Sequence, residues 1–329
     1  MSDGLVVVTG AAGFIGSHVS RALIARGQRV LGIDNFDPFY PRARKQLNLE
    51  LIGVPSKAGG AFELVEIDIC DAKTLCELLV SRKPHGVIHL AAKAGVRPSL
   101  ANPSGYMHAN VTGTSSVLEA AKAAGCSRVS MASSSSVYGN CKVVPFIETM
   151  DVSEPISPYA ASKRACELLA FTHHHVTKMP TACLRFFTVY GPGQRPDLAI
   201  GAFMGKIARG EAITMFGNGD TSRDYTFIDD IVAGVLASYD RIEHFGYRVW
   251  NLGNSRPVKL DEMIDTVARV VGKPARIEHS PIQMGDVERT FADLTRSTAE
   301  LGYKPTTNLD VGAAAQWKWM REKAPGTGH

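Results

Sequence analysis

Residues 157–163 read Ser-Pro-Tyr-Ala-Ala-Ser-Lys and put two proton-handling side chains at the start of a predicted helix. Tyr159 and Lys163 are four positions apart, so on a helix they share one face. Ser157 suits the N-cap and Pro158 the first helical position, which puts the tyrosine in the first turn, where the helix dipole favours negative charge. A phenol titrates at about pH 10, and cationic neighbours favour its phenolate. The pattern indicates a tyrosine base, although such spacing is also common on plain surface helices.

A glycine-rich turn near the N-terminus is typical of a dinucleotide-binding site. Residues 10–16 read Gly-Ala-Ala-Gly-Phe-Ile-Gly, between an apolar strand pattern at 5–9 and a helical pattern at about 17–26. Glycines let the backbone turn tightly and approach a pyrophosphate, which then lies at the helix N-terminus. We therefore expect the cofactor to contact Gly10, Gly13 and Gly16.

Acidic and small residues follow the later predicted strands. Asp34 comes after the second strand, where a carboxylate bonds the ribose 2′-hydroxyl and repels a 2′-phosphate, so NAD is favoured over NADP. The alternative for Asp34 is a solvated loop acid. Asp68 and Ile69 end a further strand and are expected near the adenine. The next strand ends in small residues that allow close approach of the dinucleotide or simply pack: Leu90, Ala91 and Ala92.

Alternating strand and helix patterns must position these residues. Strands are expected at 5–9, 29–33, 62–68, 87–92, 128–133 and 181–186, with helices between the later ones at about 72–82, 108–124 and 159–178. Such alternation predicts an α/β fold, a Rossmann-type doubly wound parallel sheet with helices on both faces.

The pattern changes after Phe187. Residues 188–225 are rich in Gly, Pro and Arg and are expected to be loop-like, whereas a helix near 229–240 and a strand at 249–252 return to the sheet. A helix at about 260–271 precedes a mixed tail. We expect a dinucleotide-binding domain of residues 1–187 plus about 226–254, and a smaller, mixed α/β substrate-binding region of about 188–225 plus 255–329.

Composition and charge exclude several classes of function. The chain has 329 residues, 45% hydrophobic and 21% charged, with a net charge of +4 that is too small to suggest nucleic acid. Six scattered cysteines without C-x-x-C argue against a metal site or a disulfide framework. Neither a signal peptide nor a membrane span is evident, so a cytoplasmic protein is expected.

Three consecutive histidines, 173–175, point in different directions on a helix and cannot share an ion. The basic run 41–45 is interpreted as a solvated loop near the site.

The motifs together resemble the extended short-chain dehydrogenase/reductase superfamily and, within it, the nucleotide-sugar epimerase branch. They are segments 9–16, 89–92, 110–114, 133–139, 157–163 and 223–230. Segments 34–40, 184–197 and 301–305 are similar to UDP-glucuronate 4-epimerases. The resemblance implies an isomerase that uses NAD to convert UDP-glucuronate into UDP-galacturonate through a 4-keto intermediate, without decarboxylation. It also implies that the second region binds the UDP-sugar and that the chain forms a homodimer.

The resemblance also implies residue roles. Tyr159 takes the 4-hydroxyl proton, Lys163 favours the tyrosinate and holds the nicotinamide ribose, and Ser134, four residues before Tyr138, completes the triad. Ser133, Ser135 and Ser136 are neighbouring alternatives for that hydroxyl. The implied cofactor contacts extend to Phe14, Ile15, Asn35, Lys93, Asn110 and Phe186.

Two serines separate the reactions of this branch. The resemblance implies an Asp-Glu pair after the hydroxyl residue in 4,6-dehydratases and a Glu at the place of Ser136 in UDP-glucuronate decarboxylases. This chain has Ser135 and Ser136 instead, both expected at the substrate. Without an extra acid–base carboxylate, oxidation and re-reduction at one carbon are favoured.

The substrate's own carboxylate is expected to meet Arg195, because a guanidinium suits bidentate carboxylate recognition. Thr188 is expected to help from the adjacent strand end. The alternative for Arg195 is a loop arginine in a surface ion pair. The resemblance assigns Arg223 to the diphosphate, and Gln283 and Asp286 to the late segment around the nucleotide. Galactose epimerases commonly carry an arginine where this chain has Gln283.

Three other functions remain open at this point. A 4-epimerase of neutral UDP-hexoses, such as UDP-glucose or UDP-N-acetylglucosamine, would need no carboxylate-binding arginine. A UDP-glucuronate decarboxylase is disfavoured by Ser136. A non-catalytic NAD-sensing protein is disfavoured by the Tyr–Lys pair.

Overall fold

The computed structural model describes residues 4–281 and 287–323 of the chain. Its strands are β1 (Leu5–Thr9), β2 (Arg29–Asp34), β3 (Phe62–Glu66), β4 (Gly86–His89), β5 (Arg128–Ser134), β6 (Thr181–Phe186), β7 (Thr188–Tyr190), β8 (Ala212–Phe216), β9 (Ser222–Phe227), β10 (Tyr247–Leu252), β11 (Pro257–Lys259) and β12 (Arg276–Ser280).

Helices alternate with the strands of the first part of the chain and continue to its end. They are α1 (Phe14–Ala25), α2 (Arg42–Glu50), α3 (Ala72–Arg82), α4 (Val96–Ala101), α5 (Pro103–Met107), α6 (Gly113–Ala123), α7 (Pro158–Thr177), α8 (Ala199–Arg209), α9 (Ile228–Arg241), α10 (Leu260–Val271), α11 (Thr295–Leu301) and α12 (Leu309–Lys323). A π-helical turn (His108–Thr112) leads into α6, and 3₁₀ turns cover Ser135–Tyr138 and Ile242–His244.

The central sheet has seven strands in the order β10-β6-β5-β4-β1-β2-β3, and all of its neighbours pair in parallel. Alternate residues of a strand face opposite sides, so Val6 and Val8 join the core cluster that includes residues of α1 and α9, while Val7 joins the one that includes residues of α3 and α6. Burial on both faces explains the continuous apolar runs of these strands. The predicted Rossmann-type α/β fold is confirmed.

Two small sheets lie beside the central one. In the first, β7 pairs in parallel with β9 and β11 pairs antiparallel with β9; in the second, β8 and β12 are parallel. The loop-like interpretation of residues 188–225 was therefore wrong, since the segment holds β7, α8, β8 and the start of β9. The glycines and prolines of this segment lie between short helices and strands. In β8 buried and partly exposed residues alternate, with Ile213 and Met215 buried, and the overall composition of the segment does not show this pattern.

The basic run at 41–45 was also interpreted wrongly. It begins α2, and the side chains of Arg44 and Lys45 are buried rather than solvated. The Arg44 guanidinium lies 4.3 Å from the ring of Trp319 and donates to the Gln194 carbonyl oxygen at 2.9 Å. Both partners are far away in sequence, and so the run carries no local sign of its burial.

A buried ion pair fixes α7 against β5 and β6. Glu167 of α7 is fully buried and accepts hydrogen bonds from Arg185 Nε and Nη2 at 2.8 and 2.9 Å, and from Ser133 Oγ at 2.7 Å. Burial by itself raises the pKa of the Glu167 carboxyl, but Arg185, Ser133 and Arg164 outweigh it, so the pKa lies below its usual range. The ion pair connects α7 to β6, and the Ser133 hydrogen bond connects the same carboxylate to the end of β5, one helical turn beyond Lys163.

Glu167→Gln is expected to lower the free energy of unfolding by about 3 kcal/mol at pH 7, because it leaves the Arg185 charge buried without its partner. A carboxyl with a lowered folded-state pKa stabilises above its unfolded pKa and loses this effect as pH falls through the folded pKa. The difference between variant and wild type in urea unfolding should therefore shrink toward acidic pH. Glu211→Gln, which breaks the exposed fork with Arg209, is the control and should change stability by less than about 0.5 kcal/mol.

Candidate active site

The N-terminus of α7 has the predicted capped geometry. Ser157 has an extended backbone conformation, and its Oγ accepts a hydrogen bond from the Ala160 amide at 3.1 Å. Pro158 is the first helical residue, which puts Tyr159 in the first turn. One turn later, Lys163 is 5% exposed and its Nζ donates to the Ala132 carbonyl oxygen at 3.0 Å. The helix therefore holds the lysine against the end of β5.

The serine run forms the end of β5 and the 3₁₀ turn that follows. Ser133 donates its hydroxyl proton to Glu167, whereas Ser134 Oγ accepts from the Ser136 amide at 3.1 Å. Within the described residues the Ser134 hydroxyl has no acceptor, so its proton remains available to a ligand. This arrangement favours Ser134 over Ser133 for the hydroxyl role, a choice that depends on Glu167 and that the serine run alone left open.

A cleft of about 680 Å³ lies at the carboxyl edge of the central sheet and collects most of the predicted residues. Ligands of open parallel sheets bind at this edge. Its lining includes Gly10, Gly13, Phe14, Ile15, Gly16, Asp34, Asn35, Asp68, Ile69, Leu90, Ala91, Ala92, Lys93, Ser134, Ser135, Ser136, Tyr159, Lys163, Phe186, Thr188 and Arg195.

The remaining predicted residues lie elsewhere. Asn110 is buried outside the cleft lining and holds the backbone of Lys93. Its Oδ1 accepts from the Lys93 amide at 2.8 Å, and its Nδ2 donates to the Lys93 carbonyl oxygen at 3.0 Å and to Ser162 Oγ at 2.8 Å. Arg223 lies on β9, where Nη1 donates to the Ser222 carbonyl oxygen at 3.0 Å. Gln283 and Asp286 lie outside the described residues.

The glycine turn has the geometry needed for a close-lying pyrophosphate. Gly10 has a φ of +71°, and a Cβ there would be 2.9 Å from the Ala91 nitrogen. A Cβ on Gly16 would collide with the Gly10 carbonyl, so helix α1 can approach the turn only because position 16 is glycine. These requirements fit a bound dinucleotide.

Asp34 is buried in an ion pair that the sequence did not reveal. Oδ1 accepts from Lys45 Nζ at 3.0 Å and from the Phe36 amide at 2.8 Å, and Oδ2 accepts from the Ala12 amide at 3.1 Å. Lys45 also lines the cleft. The Asp34 carboxylate therefore fixes the glycine turn. The Lys45 ammonium lies beside this carboxylate, where the sequence predicts the ribose of the cofactor.

Arg195 belongs to the cleft wall but is also half of an ion pair. Its Nε and Nη2 donate to the two carboxylate oxygens of Asp197 at 3.0 and 2.7 Å, and Nη1 donates to the Ala94 carbonyl oxygen at 3.2 Å. The arginine side chain is 14% exposed and Asp197 is 40% exposed. Arg195 therefore lines the cleft and forms the ion pair at the same time, while its predicted contact with a substrate carboxylate stays a prediction.

His89, at the end of β4, is a buried residue outside the cleft lining. It is buried, with Nδ1 2.7 Å from Thr9 Oγ1 and Nε2 3.1 Å from Thr114 Oγ1. Burial, followed by the charge of Lys163, lowers the pKa of His89 to about 3, so the ring is neutral at physiological pH. Thr9 Oγ1 in turn accepts from the amides of Leu90 and Ala91, which orders these two cleft-lining residues after β4.

The described residues contain neither a membrane-spanning helix nor a cluster of metal-binding side chains. Across residues 4–281 and 287–323, no helix is long and apolar enough to cross a membrane. In the same part of the chain, no cluster of three or more His, Cys, Asp or Glu side chains could hold a metal ion.

Dinucleotide-binding and proton-transfer groups at one sheet edge define an NAD-dependent enzyme of the short-chain dehydrogenase/reductase type. The chain belongs to the NAD dependent epimerase/dehydratase family, whose model matches residues 6–253. It is 38% identical over 320 residues to a UDP-glucuronate 4-epimerase of Thermodesulfobacterium geofontis, covering 97% of both chains.

Solved structures give the same grouping. The fold matches a UDP-glucuronic acid 4-epimerase of Bacillus cereus in complex with UDP-glucuronic acid and NAD, with a TM-score of 0.89 and 32% identity over 97% of this chain and 99% of that one. A UDP-glucose 4-epimerase of Thermotoga maritima with UDP-glucose matches with a TM-score of 0.86 and 28% identity over 97% and 99% of the two chains. The resemblance inferred from the motifs is confirmed at the level of the family.

Proposed function

We propose that this protein interconverts UDP-glucuronate and UDP-galacturonate by NAD-dependent epimerisation at C4, through a 4-keto intermediate and without loss of the carboxylate. The observation that carries the proposal is Arg195 in the cleft wall beside a serine run that has no carboxylate at positions 135 and 136. The arginine offers a partner for a uronate, and the serines offer no additional acid or base. The names of the relatives at 32% and 38% identity support the same substrate.

Three residues are assigned to the chemistry. Tyr159 removes the proton from O4 and later returns one, Ser134 donates a hydrogen bond to the same oxygen, and Lys163 favours the phenolate electrostatically and holds the nicotinamide ribose. Bound NAD supplies the reversible acceptance of hydride from C4. Between the two hydride transfers the 4-keto sugar must turn its other face toward the cofactor, which inverts C4.

The carboxylate must be restrained while the 4-keto sugar exists. That sugar is a β-keto acid, and it loses carbon dioxide readily only when the breaking C5–carboxylate bond is aligned with the carbonyl π system. We assign this restraint to Arg195, Thr188 and the serine run, which all line the same cleft. Holding the bond near the carbonyl plane suppresses the decarboxylation that a related enzyme class performs.

The cofactor half of the cleft is assigned to the residues at the first strand ends. The glycine turn takes the pyrophosphate, Asp34 the adenosine ribose, and Asp68 and Ile69 the adenine. The remaining contacts are assigned to Phe14, Ile15, Asn35, Leu90, Ala91, Ala92, Lys93 and Phe186, with Asn110 supporting the Lys93 backbone from behind.

Asp34→Asn is expected to weaken NAD binding about tenfold, because a charge-assisted hydrogen bond to the ribose becomes a neutral one. Discrimination against NADP should shrink as well, since the repelling carboxylate is lost and the Lys45 ammonium remains at that position. Calorimetry of both dinucleotides with cofactor-stripped protein measures the two affinities. Asp240→Asn, which removes a surface partner of Arg26, is the control, and equal NAD affinity in both variants would contradict the assignment.

The nucleotide of the substrate is assigned to the region of about 188–225 plus 255–329, with Arg223 proposed for the diphosphate and Gln283 and Asp286 for the nucleotide. Residues 1–187 plus about 226–254 are proposed as the NAD-binding domain. We also propose a homodimer, supported by exposed apolar side chains on α7, where Leu168 and Phe171 are 52% and 51% exposed.

A cytoplasmic location is proposed because all six cysteines are unpaired, as in reducing compartments.

A 4-epimerase of neutral UDP-hexoses is the second candidate. The similarity to the Thermotoga maritima enzyme supports it, and so does the ion pair with Asp197, which already occupies one edge of the Arg195 guanidinium. In that case Arg195 would have no role at the sugar. The two functions differ in whether a uronate is required.

Incubation of the purified protein with UDP-glucuronate, followed by NMR of the anomeric and C4 protons, tests the proposal. UDP-galacturonate without UDP-pentose is the expected product. Turnover of UDP-glucose or UDP-N-acetylglucosamine alone would establish the second candidate. UDP-pentose as the main product would identify a decarboxylase, and no turnover of any UDP-sugar would favour a binding protein.

A further inference from the structure

Tyr106 belongs to none of the sequence motifs. It lies behind the cleft wall, between the proposed base Tyr159 and the proposed carboxylate-binding residue Arg195. It belongs to α5, whose N-terminus is capped by Asn102 through a 3.0 Å hydrogen bond from the Gly105 amide to Oδ1. Tyr106 is 2% exposed. Its ring is nearly perpendicular to that of Tyr159, with the centroids 6.2 Å apart. Such a contact restricts the orientation of the tyrosine that carries the proton.

The hydroxyl of Tyr106 is linked to Arg195 through a shared backbone oxygen. It donates to the Ala94 carbonyl oxygen at 3.1 Å, and the same oxygen accepts from Arg195 Nη1 at 3.2 Å. A carbonyl oxygen has two lone pairs, so these two donors satisfy it. Ala94 thus stands between Tyr106 and Arg195, and it lines the cleft itself.

The remaining contacts of Arg195 leave a defined edge for a ligand. A guanidinium has five N–H donors. The Asp197 carboxylate accepts from the Nε donor and from one Nη2 donor, and the Ala94 carbonyl oxygen accepts from one Nη1 donor. One donor each on Nη1 and Nη2 remains, which suits the two oxygens of a carboxylate only if the guanidinium is held in a fixed plane.

We propose that Tyr106 is a positioning residue that holds the carboxylate-binding arginine, through Ala94, and the ring of the base Tyr159 in one fixed relation. The inference rests on the proposed function, because it needs a substrate with both a 4-hydroxyl and a carboxylate. Tyr106 does not act as an acid or base itself: burial raises its pKa to about 12, despite the opposing charge of Arg195. Its two contacts, one polar and one aromatic, can be removed separately.

Tyr106→Phe removes the hydroxyl and keeps the ring. Binding of UDP-glucuronate should weaken about 3- to 10-fold, the effect of one hydrogen bond, while binding of UDP-glucose stays within about twofold. The kcat and its pH profile should remain those of the wild type, since the ring contact with Tyr159 is intact.

Tyr106→Leu removes both contacts. UDP-glucuronate binding should weaken as in the phenylalanine variant, and kcat, which that variant keeps, should now fall 10- to 100-fold, about the effect of a small misplacement of a reacting group. Tyr303→Phe is the control, because Tyr303 is also buried and donates its hydroxyl to a backbone carbonyl, that of Gly253, at 2.8 Å. A general effect of losing a buried hydroxyl would appear in this variant as well.

Calorimetry with UDP-glucuronate and UDP-glucose, steady-state kinetics and thermal unfolding of all variants form the test. A wild-type preference for UDP-glucuronate that survives unchanged in Tyr106→Phe overturns the proposal and leaves the proposed function standing. Equal loss of both ligands in that variant, or an unaltered kcat in a folded Tyr106→Leu variant, also overturns it. A wild-type protein that binds the uronate no better than UDP-glucose overturns the Tyr106 proposal, whereas only failure to epimerise UDP-glucuronate overturns the proposed function.

Discussion

Tyr159→Phe is expected to lower the kcat for epimerisation of UDP-glucuronate by about 10²- to 10⁴-fold, the range that a positioned acid–base group contributes. The substitution removes one oxygen atom from the first turn of α7. The Ser157 cap, the Lys163 contact with Ala132 and the ring contact with Tyr106 do not involve that oxygen. The helix, the cleft and NAD binding should therefore persist while proton transfer from O4 is lost.

Activity is followed by NMR of UDP-galacturonate formation, with bound NAD measured after denaturation of the same sample. Tyr190→Phe is the control, because it deletes a buried hydroxyl that donates to the Asn308 carbonyl oxygen at 3.2 Å, outside the cleft lining. Near-normal turnover by a folded, NAD-loaded Tyr159→Phe protein would assign the base to another residue. Loss of NAD together with activity would instead mean that the hydroxyl mainly supports the cofactor.

Elements whose signals are local were predictable from the sequence. Helices were predicted at about 72–82 and about 260–271, and these are the bounds of α3 and α10. The cap, proline and tyrosine at 157–159 likewise act within one turn of α7. A parallel sheet followed from the alternation of such elements, since strands linked through helices must run in the same direction.

Features that depend on distant partners were not predictable in the same way. Nothing in the run 41–45 indicates that Lys45 pairs with Asp34, because the pairing needs the loop after β2 to fold back onto α2. Lysine side chains are mostly exposed in proteins, whereas Lys45 is buried against the Asp34 carboxylate and near the rings of Phe36 and Tyr40. The buried residues of α2 are the polar Arg44, Lys45 and Asn48, so an apolar periodicity does not mark its inner face.

The choice among four serines had the same limitation. Ser133 and Ser134 are adjacent in β5 and equivalent by residue type, and they differ only in what their hydroxyls meet in the fold. Glu167, which lies 34 positions beyond Ser133, takes the first hydroxyl and leaves the second for a ligand. The proposal of Ser134 as the catalytic hydroxyl thus rests on this tertiary contact as well as on the motif.

In the proposed function, Arg195 is the residue on which the choice of substrate depends. Its charge is shared with Asp197, so a uronate would complete a carboxylate–guanidinium–carboxylate arrangement rather than meet an isolated cation. Such an arrangement discriminates by geometry as well as charge, because only the remaining Nη1 and Nη2 donors are available. A surface fork of the same spacing, Arg209 with Glu211, lies outside the cleft and serves as the comparison.

Arg195→Ala is expected to raise the KM for UDP-glucuronate about 10- to 100-fold, the effect of losing hydrogen bonds to a charged group, and to leave the KM for any neutral UDP-hexose nearly unchanged. Carbon dioxide and UDP-pentose should also appear, because an unrestrained carboxylate can rotate its C5 bond into line with the 4-keto π system. Trapped carbon dioxide and NMR of the sugar products measure the decarboxylated share. Arg209→Ala should match the wild type in both measurements. If Arg195→Ala raises the KM but releases no more carbon dioxide, the arginine binds the uronate without restraining it, and the serine run and Thr188 must hold the carboxylate in place.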